Sequence, residues 1–250
     1  MDIVQKFYDN LATEYHKLFL DWESNGLEQA KILDDIFKAY GVDKNCEILD
    51  CACGIGTQAI GLATLGYKVT GSDLSEGGLN QAKAIAKKRN LNIPFKKADF
   101  RCLDISFLVE FDVVIAMDNA LPHMLNKGDM ERAINSISSK IKKGGLFVAS
   151  IRDYDELLKT KPPYSPPYIH QTENGKRVSF QLWDWNDDCY KLVQFIIEDE
   201  AQLKVSKFEC EYRAVQRDEI TNLLKKQGMQ VWWKFPDDTG FYQPIVIAKK

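Results

Sequence analysis

Apolar residues in the first forty positions recur at helical intervals (Phe7, Leu11, Tyr15 and Leu18, then Ala30, Leu33, Ile36 and Phe37), and Gly41 offers a stop. The spacing predicts a helical prelude over residues 1–41. From there short apolar runs alternate with amphipathic stretches: "EILDCA", "TQAIGLATLG", "KVTGSD", "EGGLNQAKAIAKKRN", "IPFKKAD", "FDVVIAMD", "DMERAINSISSKIKKGG" and "LFVASI". That alternation predicts βαβ units, hence a parallel sheet with helices on both faces. Over 176–213 the period falls close to two, with a polar break at Asn186, Asp187 and Asp188, which predicts an antiparallel ribbon of about three strands. The Pro-rich "KTKPPYSPPY" leads into it as a stiff connector. "RDEITNLLKKQG" reads as a helix ending at Gly228, and "MQVWWKF" with "FYQPIVIAKK" as a closing hairpin.

Composition narrows the partners. Lys and Arg number 33 against 36 Asp and Glu, a net charge of -3, so no basic footprint for nucleic acid stands out and a small-molecule partner fits better. No apolar run reaches the roughly 20 residues that span a bilayer, and "MDIVQKFYDN" lacks the basic and apolar regions of a signal peptide, so no membrane partner and a cytoplasmic location are expected. The six cysteines are then reduced thiols packed as small apolar groups. The sequence allows a homo-oligomer without requiring one.

One stretch carries the chemistry. In "ILDCACGIGTQAIGLA" the pair Cys51 and Cys53 lacks a second ligand pair at metal-site spacing, and a redox pair would be spaced Cys-x-x-Cys, so no metal is expected. The run Gly54-Ile55-Gly56-Thr57-Gln58-Ala59 fits G-x-G-x-x-G/A, in which missing side chains let the backbone approach a ligand at a helix N-terminus. Asp50 ends the strand before it, and Asp73 ends the next strand, where a carboxylate can accept ribose hydroxyls. By itself this serves any adenosine-bearing cofactor, NAD included. The plainer alternative is that Asp73 caps the helix that begins near Ser75.

The order of these features resembles the class I S-adenosylmethionine-dependent methyltransferases. "DCACGIG" is similar to their D-x-x-C-G-x-G motif, and Asp73, "ADF" at 98–100, "FDVVIAMDN" at 111–119 and "IKKGGLFVAS" follow in sequence. The resemblance implies a Rossmann-like, seven-stranded, mostly parallel sheet, with a helical cover (1–44), a cofactor-binding core (45–152), an inserted antiparallel subdomain (153–215) and a closing helix and hairpin (216–250). It implies S-adenosylmethionine as cofactor, with Gly54 and Gly56 under the methionine part, Asp73 on the ribose, Leu74 on the adenine, and Asp99 and Phe100 at the adenine edge and face. Tyr15, Asp50, Ala52 and Met117 complete the implied cofactor set.

"MDNALPHML" and "IRDYDELL" look like the corresponding segments of glycine and glycine/sarcosine methyltransferases. That kinship implies that Arg152 grips the acceptor's carboxylate and that Asn119 meets the acceptor near the methyl group, with Tyr168 and Tyr242 also at the acceptor. The residue types suit an in-line displacement, because a guanidinium fork matches a carboxylate and an amide oxygen can orient an amine. His123 is a second candidate, as a base for the amine proton, although packing in a loop would also explain it. Trp183, Trp185 and Tyr190 could wall an acceptor pocket or simply pack the ribbon. A basic residue that relatives place near the cofactor carboxylate has no counterpart in "DWESNGLEQAK". Two other classes compete: a NAD-dependent oxidoreductase, and a module that binds S-adenosylmethionine without turnover.

Overall fold

The structure is a computed structural model that describes residues 3–173, 175–199 and 202–250. In chain order its elements are α1 (Ile3–Leu11), α2 (Trp22–Ala39), β1 (Glu47–Asp50), α3 (Thr57–Thr64), β2 (Lys68–Asp73), α4 (Glu76–Lys88), β3 (Phe95–Lys97), α5 (Leu103–Ser106), β4 (Phe111–Ala116), α6 (Lys127–Ser139), β5 (Ile141–Ser150) and α7 (Tyr154–Thr160). These are followed by β6 (Tyr168–Thr172), β7 (Gly175–Asn186), β8 (Cys189–Asp199), β9 (Leu203–Arg213), α8 (Arg217–Lys226), β10 (Gln230–Lys234), α9 (Pro236–Thr239) and β11 (Ile245–Lys249).

Local signals account for the helices that border the site. The Asp21 side chain accepts from the backbone N–H groups of Glu23 and Ser24 and so caps α2, whose buried residues Trp22, Gly26, Ala30, Leu33 and Phe37 fall on one stripe. Ser75 caps α4 by accepting from Gly78 N, with Glu76 in the first turn and Lys87 and Lys88 in the last, all favourable to the helix dipole.

Seven strands form one sheet in the order β10-β11-β5-β4-β1-β2-β3. The pairs from β5 through β3 are parallel, and β11 runs antiparallel to both β5 and β10. The expected Rossmann-like sheet is therefore present, and its closing pair is bridged by α9 rather than by a tight turn. Strand β4 shows why both faces are covered: Val114 and Ala116 enter one apolar cluster while Val113 and Ile115 enter the other, and all four are fully buried. Each such aliphatic side chain contributes about 1.5–3 kcal/mol on burial.

The ribbon expected over 176–213 is present as the three strands β7, β8 and β9, and a fourth strand outside that span, β6, joins it in the order β6-β7-β8-β9. The extra strand, "YIHQT", lies at an edge with mostly exposed side chains, so the alternation that marks β7 to β9 is missing from it. The predicted polar break is the β7–β8 turn, with Asp187 at φ 53°. Trp183, Tyr190, Leu192, Ile196, Cys210 and Tyr212 turn inward and join the same apolar cluster as Phe7 and Leu11 of α1.

Candidate active site

The chain runs outward from β1 through β2 to β3, then returns to β4 on the other side of β1. The carboxyl ends of β1 and β4 thus diverge, which opens the crevice where ligands of open α/β sheets bind. A cavity of about 320 Å³ lies there, a volume suited to a small molecule. Its wall follows the sheet edge: Met117 and Asp118 after β4, Cys51–Ile55 after β1, Asp73–Ser75 after β2, and Ala98–Arg101 after β3. Helix α1 supplies Tyr8, and the turn after it supplies Tyr15.

The two motif glycines have different reasons to be glycine. Gly54 lies at φ 53°, and a Cβ built on it would meet no atom within 4 Å, so its bare backbone borders open cavity. Gly56 caps α3 at φ 92°, does not border the cavity, and would drive a Cβ to 2.8 Å from Ile60 Cδ1 and 3.3 Å from Ala82. Its missing side chain lets α3 pack closely on α4.

Among the acids, Asp73 faces the cavity while Oδ2 accepts from Gly54 N at 2.7 Å and Oδ1 from Ser75 N at 2.8 Å. Each oxygen keeps a lone pair for a ligand hydroxyl. The helix cap is Ser75 itself, so Asp73 is not the capping residue. Asp50 is wholly buried behind the loop and does not border the cavity; its Oδ2 has no hydrogen-bond partner, and burial pushes its acid well above the usual carboxylate range. Asp99 lines the far end, held by Arg101 Nε at 2.9–3.0 Å, next to Phe100. Ala52 and Leu74 also lie in the wall.

At the end of β4, Asp118 and Asn119 both adopt left-handed backbone, φ 55° and 69°. Two adjacent residues other than glycine in that region are uncommon and are held here by Ser150, whose Oγ accepts from Asp118 N at 2.8 Å and whose carbonyl accepts from Asn119 N at 3.1 Å. The conformation sends the side chains to different places. Asp118 faces the cavity and accepts from Gln58 Nε2 at 2.8 Å and Tyr242 Oη at 2.7 Å. Asn119 is buried away from it; its Oδ1 accepts from Arg152 N at 3.0 Å, and its amide lies 2.9–3.1 Å from the Tyr154 hydroxyl.

Arg152 stands one layer behind the cavity. Its Nη1 donates to Tyr190 Oη at 2.5 Å and its Nη2 to Gln181 Oε1 at 2.9 Å, while the guanidinium lies 5.0 Å from the Trp183 ring and 5.4 Å from that of Tyr212. No ion pair joins it to a carboxylate among the described residues. Tyr190 also meets Tyr154 at 2.9 Å, so the inner face of the antiparallel sheet closes into a polar and aromatic cluster. Trp183, Trp185 and Tyr190 pack in that cluster and do not border the cavity.

The remaining acceptor candidates are scattered. Tyr168 is 64% exposed on the edge strand and outside the cavity wall. Tyr242 is exposed along its ring and touches the site through its bond to Asp118. His123 is buried in the wall, with Nε2 2.9 Å from Tyr8 Oη and Nδ1 3.6 Å from Cys210 Sγ, so both ring nitrogens have protein partners. Wall residues not singled out from the sequence include Asp118, Gln58, Thr57 and Tyr8. Only Asp118 had a legible signal, its place beside Asn119 at the end of an apolar run. Cys51 and Cys53 are buried free thiols, and no metal-holding cluster occurs among the described residues.

An adenosyl ligand with a methionine tail fits this wall. Asp73 would hold the ribose, Gly54 leaves the space that a side chain would fill, and the wall from Ala98 to Arg101 would enclose the base. Comparisons with known proteins agree. A family described as "Methyltransferase domain" matches residues 48–145. The chain is 27% identical over 154 residues to a glycine/sarcosine N-methyltransferase of Parasynechococcus marenigrum, a match that spans 62% of this chain and 53%, about half, of that relative. It is 30% identical over 242 residues to the glycine N-methyltransferase of Oryctolagus cuniculus, covering 88% of this chain and 81% of that one. The S-adenosylmethionine-bound amino pentose methyltransferase of Micromonospora echinaspora shares the fold, with a TM-score of 0.77 at 18% identity over 95% of this chain and 94% of that one. The diverging strand ends, the acid after β2 and this similarity together make the chain a member of the class I S-adenosylmethionine-dependent methyltransferases.

Proposed function

We propose that the chain methylates the amine of a small molecule that carries a carboxylate, a glycine-like amino acid. The observation that carries this reading is Arg152, a guanidinium enclosed by rings and bonded only to neutral oxygens, Tyr190 Oη and Gln181 Oε1, with no acid paired to it among the described residues. A carboxylate would replace those neutral acceptors with a two-point, charge-assisted contact. The names of the glycine and glycine/sarcosine methyltransferases support the same acceptor class.

In this reading S-adenosylmethionine supplies the methyl group as a sulfonium electrophile. Asp73 accepts from the ribose, and Ala52, Gly54, Leu74, Asp99, Phe100, Met117 and Tyr15 enclose the rest of the cofactor. The segment 153–215 forms the acceptor side. Asn119 acts from behind the wall, since its oxygen already accepts from Arg152 N and its amide meets Tyr154, which sets the start of the Arg152 segment. The wall residue nearest to it in sequence is Asp118, whose remaining lone pairs suit an amine N–H.

An amino sugar is a second reading, favoured by one observation: Arg152 does not border the cavity, and its two amino groups are engaged by Tyr190 and Gln181. The printed substrate of the Micromonospora enzyme is of that kind. A labelled-methyl assay with glycine, sarcosine, dimethylglycine and a set of amino sugars separates the two. Transfer to the amino acids alone supports the first reading, transfer to amino sugars alone replaces it with the second, and transfer to neither class removes both.

A further inference from the structure

The four-stranded sheet has two faces, and the site described above uses one of them. An antiparallel sheet is usually apolar on its packed face and polar on the other. Strand β7 inverts that order over half its length: Arg177, Ser179 and Gln181 share the inner face with Trp183, while Val178, Phe180 and Leu182 point outward. Cross-strand partners lie on the same face, so the register extends this pattern to the other strands. Ile169, Val178, Ile197 and Val205 form one outer row across all four strands. The next row stacks the rings of Phe180 and Phe195, with 5.1 Å between centroids and 14° between planes. The row after it pairs Leu182 with Val193, and an isolated bridge sets Tyr164 beside Leu182. None of these side chains joins the three apolar clusters of the core, and at the two edges Ile169 and Val205 are 65% and 54% exposed.

An apolar face of this extent with a polar border marks a contact surface. Strands β7 to β9 run eleven or twelve residues. At about 4.8 Å between strands and 3.4 Å per residue, the face presents roughly 600 Å², near the roughly 800 Å² that each partner gives to a standard interface. Shape selects the occupant. Two sheets pack face to face when their twists match, and a second copy of this sheet necessarily has the same twist. Charge agrees with that choice. The six central positions on β7 and β8 are all apolar, whereas the border carries both signs: Lys176 lies opposite Asp199 at one end, and toward the other Glu209 binds Lys191 at 2.6 Å and Lys207 at 2.5 Å. Such a border meets a copy of itself without massed like charges, as a self-complementary interface requires.

We propose that this outer face is the interface of a two-fold dimer of the chain, in which the four-stranded sheets of two copies pack as a sandwich. Each copy keeps its own complete site on the far side of its sheet. The contact supports β7 and β8 from behind, where their inner side chains Gln181 and Tyr190 hold Arg152. The proposal does not depend on the identity of the acceptor.

Sedimentation velocity on the full chain tests it. Interfaces of this class hold at micromolar concentration or below, so the parent should sediment as a dimer at roughly 10 µM. Ile169→Lys and Val205→Lys each bring two lysines into the contact, one from either copy, and should weaken the dimer roughly one-hundred-fold or more, leaving a monomer. Both positions are exposed on edge strands, so the fold should stand, with calorimetric affinity for S-adenosylhomocysteine within about twofold of the parent. Leu182→Lys, on β7, is an independent third variant with the same expected outcome. Leu108→Lys alters an exposed apolar residue in the loop between α5 and β4 and should remain dimeric. A parent that stays monomeric at roughly 100 µM overturns the proposal, since a face of this size would then be too weak to hold a copy. An assembly whose mass survives the three sheet variants overturns it as well, and so does dissociation by Leu108→Lys to the same degree.

Discussion

The carboxyl edge of the seven-stranded sheet and the inner face of the four-stranded sheet meet at Asp118 and Asn119, and they are built in opposite ways. The first is a backbone construction, in which strand ends, a left-handed Gly54 and the start of α3 leave a cavity of about 320 Å³. The second is a side-chain construction, in which Arg152, Gln181, Tyr190, Tyr154 and Trp183 hydrogen-bond one another. Backbone shapes a cavity through the fold itself, whereas long side chains turn to whatever partner is within reach. An acceptor carboxylate that binds Arg152 must therefore take over from Gln181 and Tyr190, while a cofactor enters space already formed.

The most severe test of this contrast removes Arg152. With a glycine-like acceptor, Arg152→Ala should cost about 2–5 kcal/mol in kcat/KM, Arg152→Lys less because the charge survives without the fork, and calorimetric affinity for S-adenosylhomocysteine should not move. Steady-state kinetics that show the same loss for acceptors with and without a carboxylate would assign Arg152 to structure alone. The two motif glycines come next. Gly56→Val should destabilise the fold by about 2–4 kcal/mol, since left-handed strain adds to overpacking against Ile60 and Ala82, and scanning calorimetry reads this directly. Gly54→Val places its side chain in open cavity, so it should melt higher than Gly56→Val and lose cofactor binding instead; the opposite pattern would exchange their roles.

Asp73→Ala should weaken S-adenosylhomocysteine by about 1.5–3 kcal/mol, the range for hydrogen bonds to a charged group, and should leave the Arg152 cluster unaltered. Unchanged affinity in a folded variant would place the ribose elsewhere. The smallest effect is a dependence on pH. Burial raises the acid of Asp50 well above 3.8 in the folded chain. Between that ordinary value and the raised one the folded state holds more protons than the unfolded state, so this group's contribution to stability declines as pH rises through the window. Asp50→Asn removes the term, and thermal melts should show the variant gaining on the parent from pH 5 to pH 8; a gap that is constant with pH would mean that Asp50 titrates normally.

The same contrast separates what could be read in the sequence from what could not. The parallel sheet was legible because each strand and helix carries its own period, and Asp73 and Gly54 were legible because their spacing follows from a single βαβ unit. Strand β6 was not, since "YIHQT" sits at an exposed edge and shows no alternation. Gly56 fits the ligand motif as well as Gly54 does, and only the approach of Ile60 and Ala82 assigns it to packing. Trp22 and Thr57 are 35 residues apart and meet because α2 crosses α3 at two glycines; no local pattern encodes that meeting. The resemblance implied Asn119 at the acceptor; that two successive left-handed residues turn its amide toward Arg152 and leave Asp118 at the cavity has no signal in the sequence.

Those two left-handed residues also act as a lever. One short piece of backbone carries a carboxylate in the cavity wall on one arm and an amide bonded to the start of the Arg152 segment on the other, with Ser150 as the fulcrum. A shift of Asp118 on filling of the cofactor cavity would bear on Asn119 and, through its bond to Arg152 N, on the Arg152 segment. Acceptor titrations with and without S-adenosylhomocysteine measure this effect: a difference in affinity gives the coupling free energy, and reciprocity requires the acceptor to change cofactor affinity by the same factor.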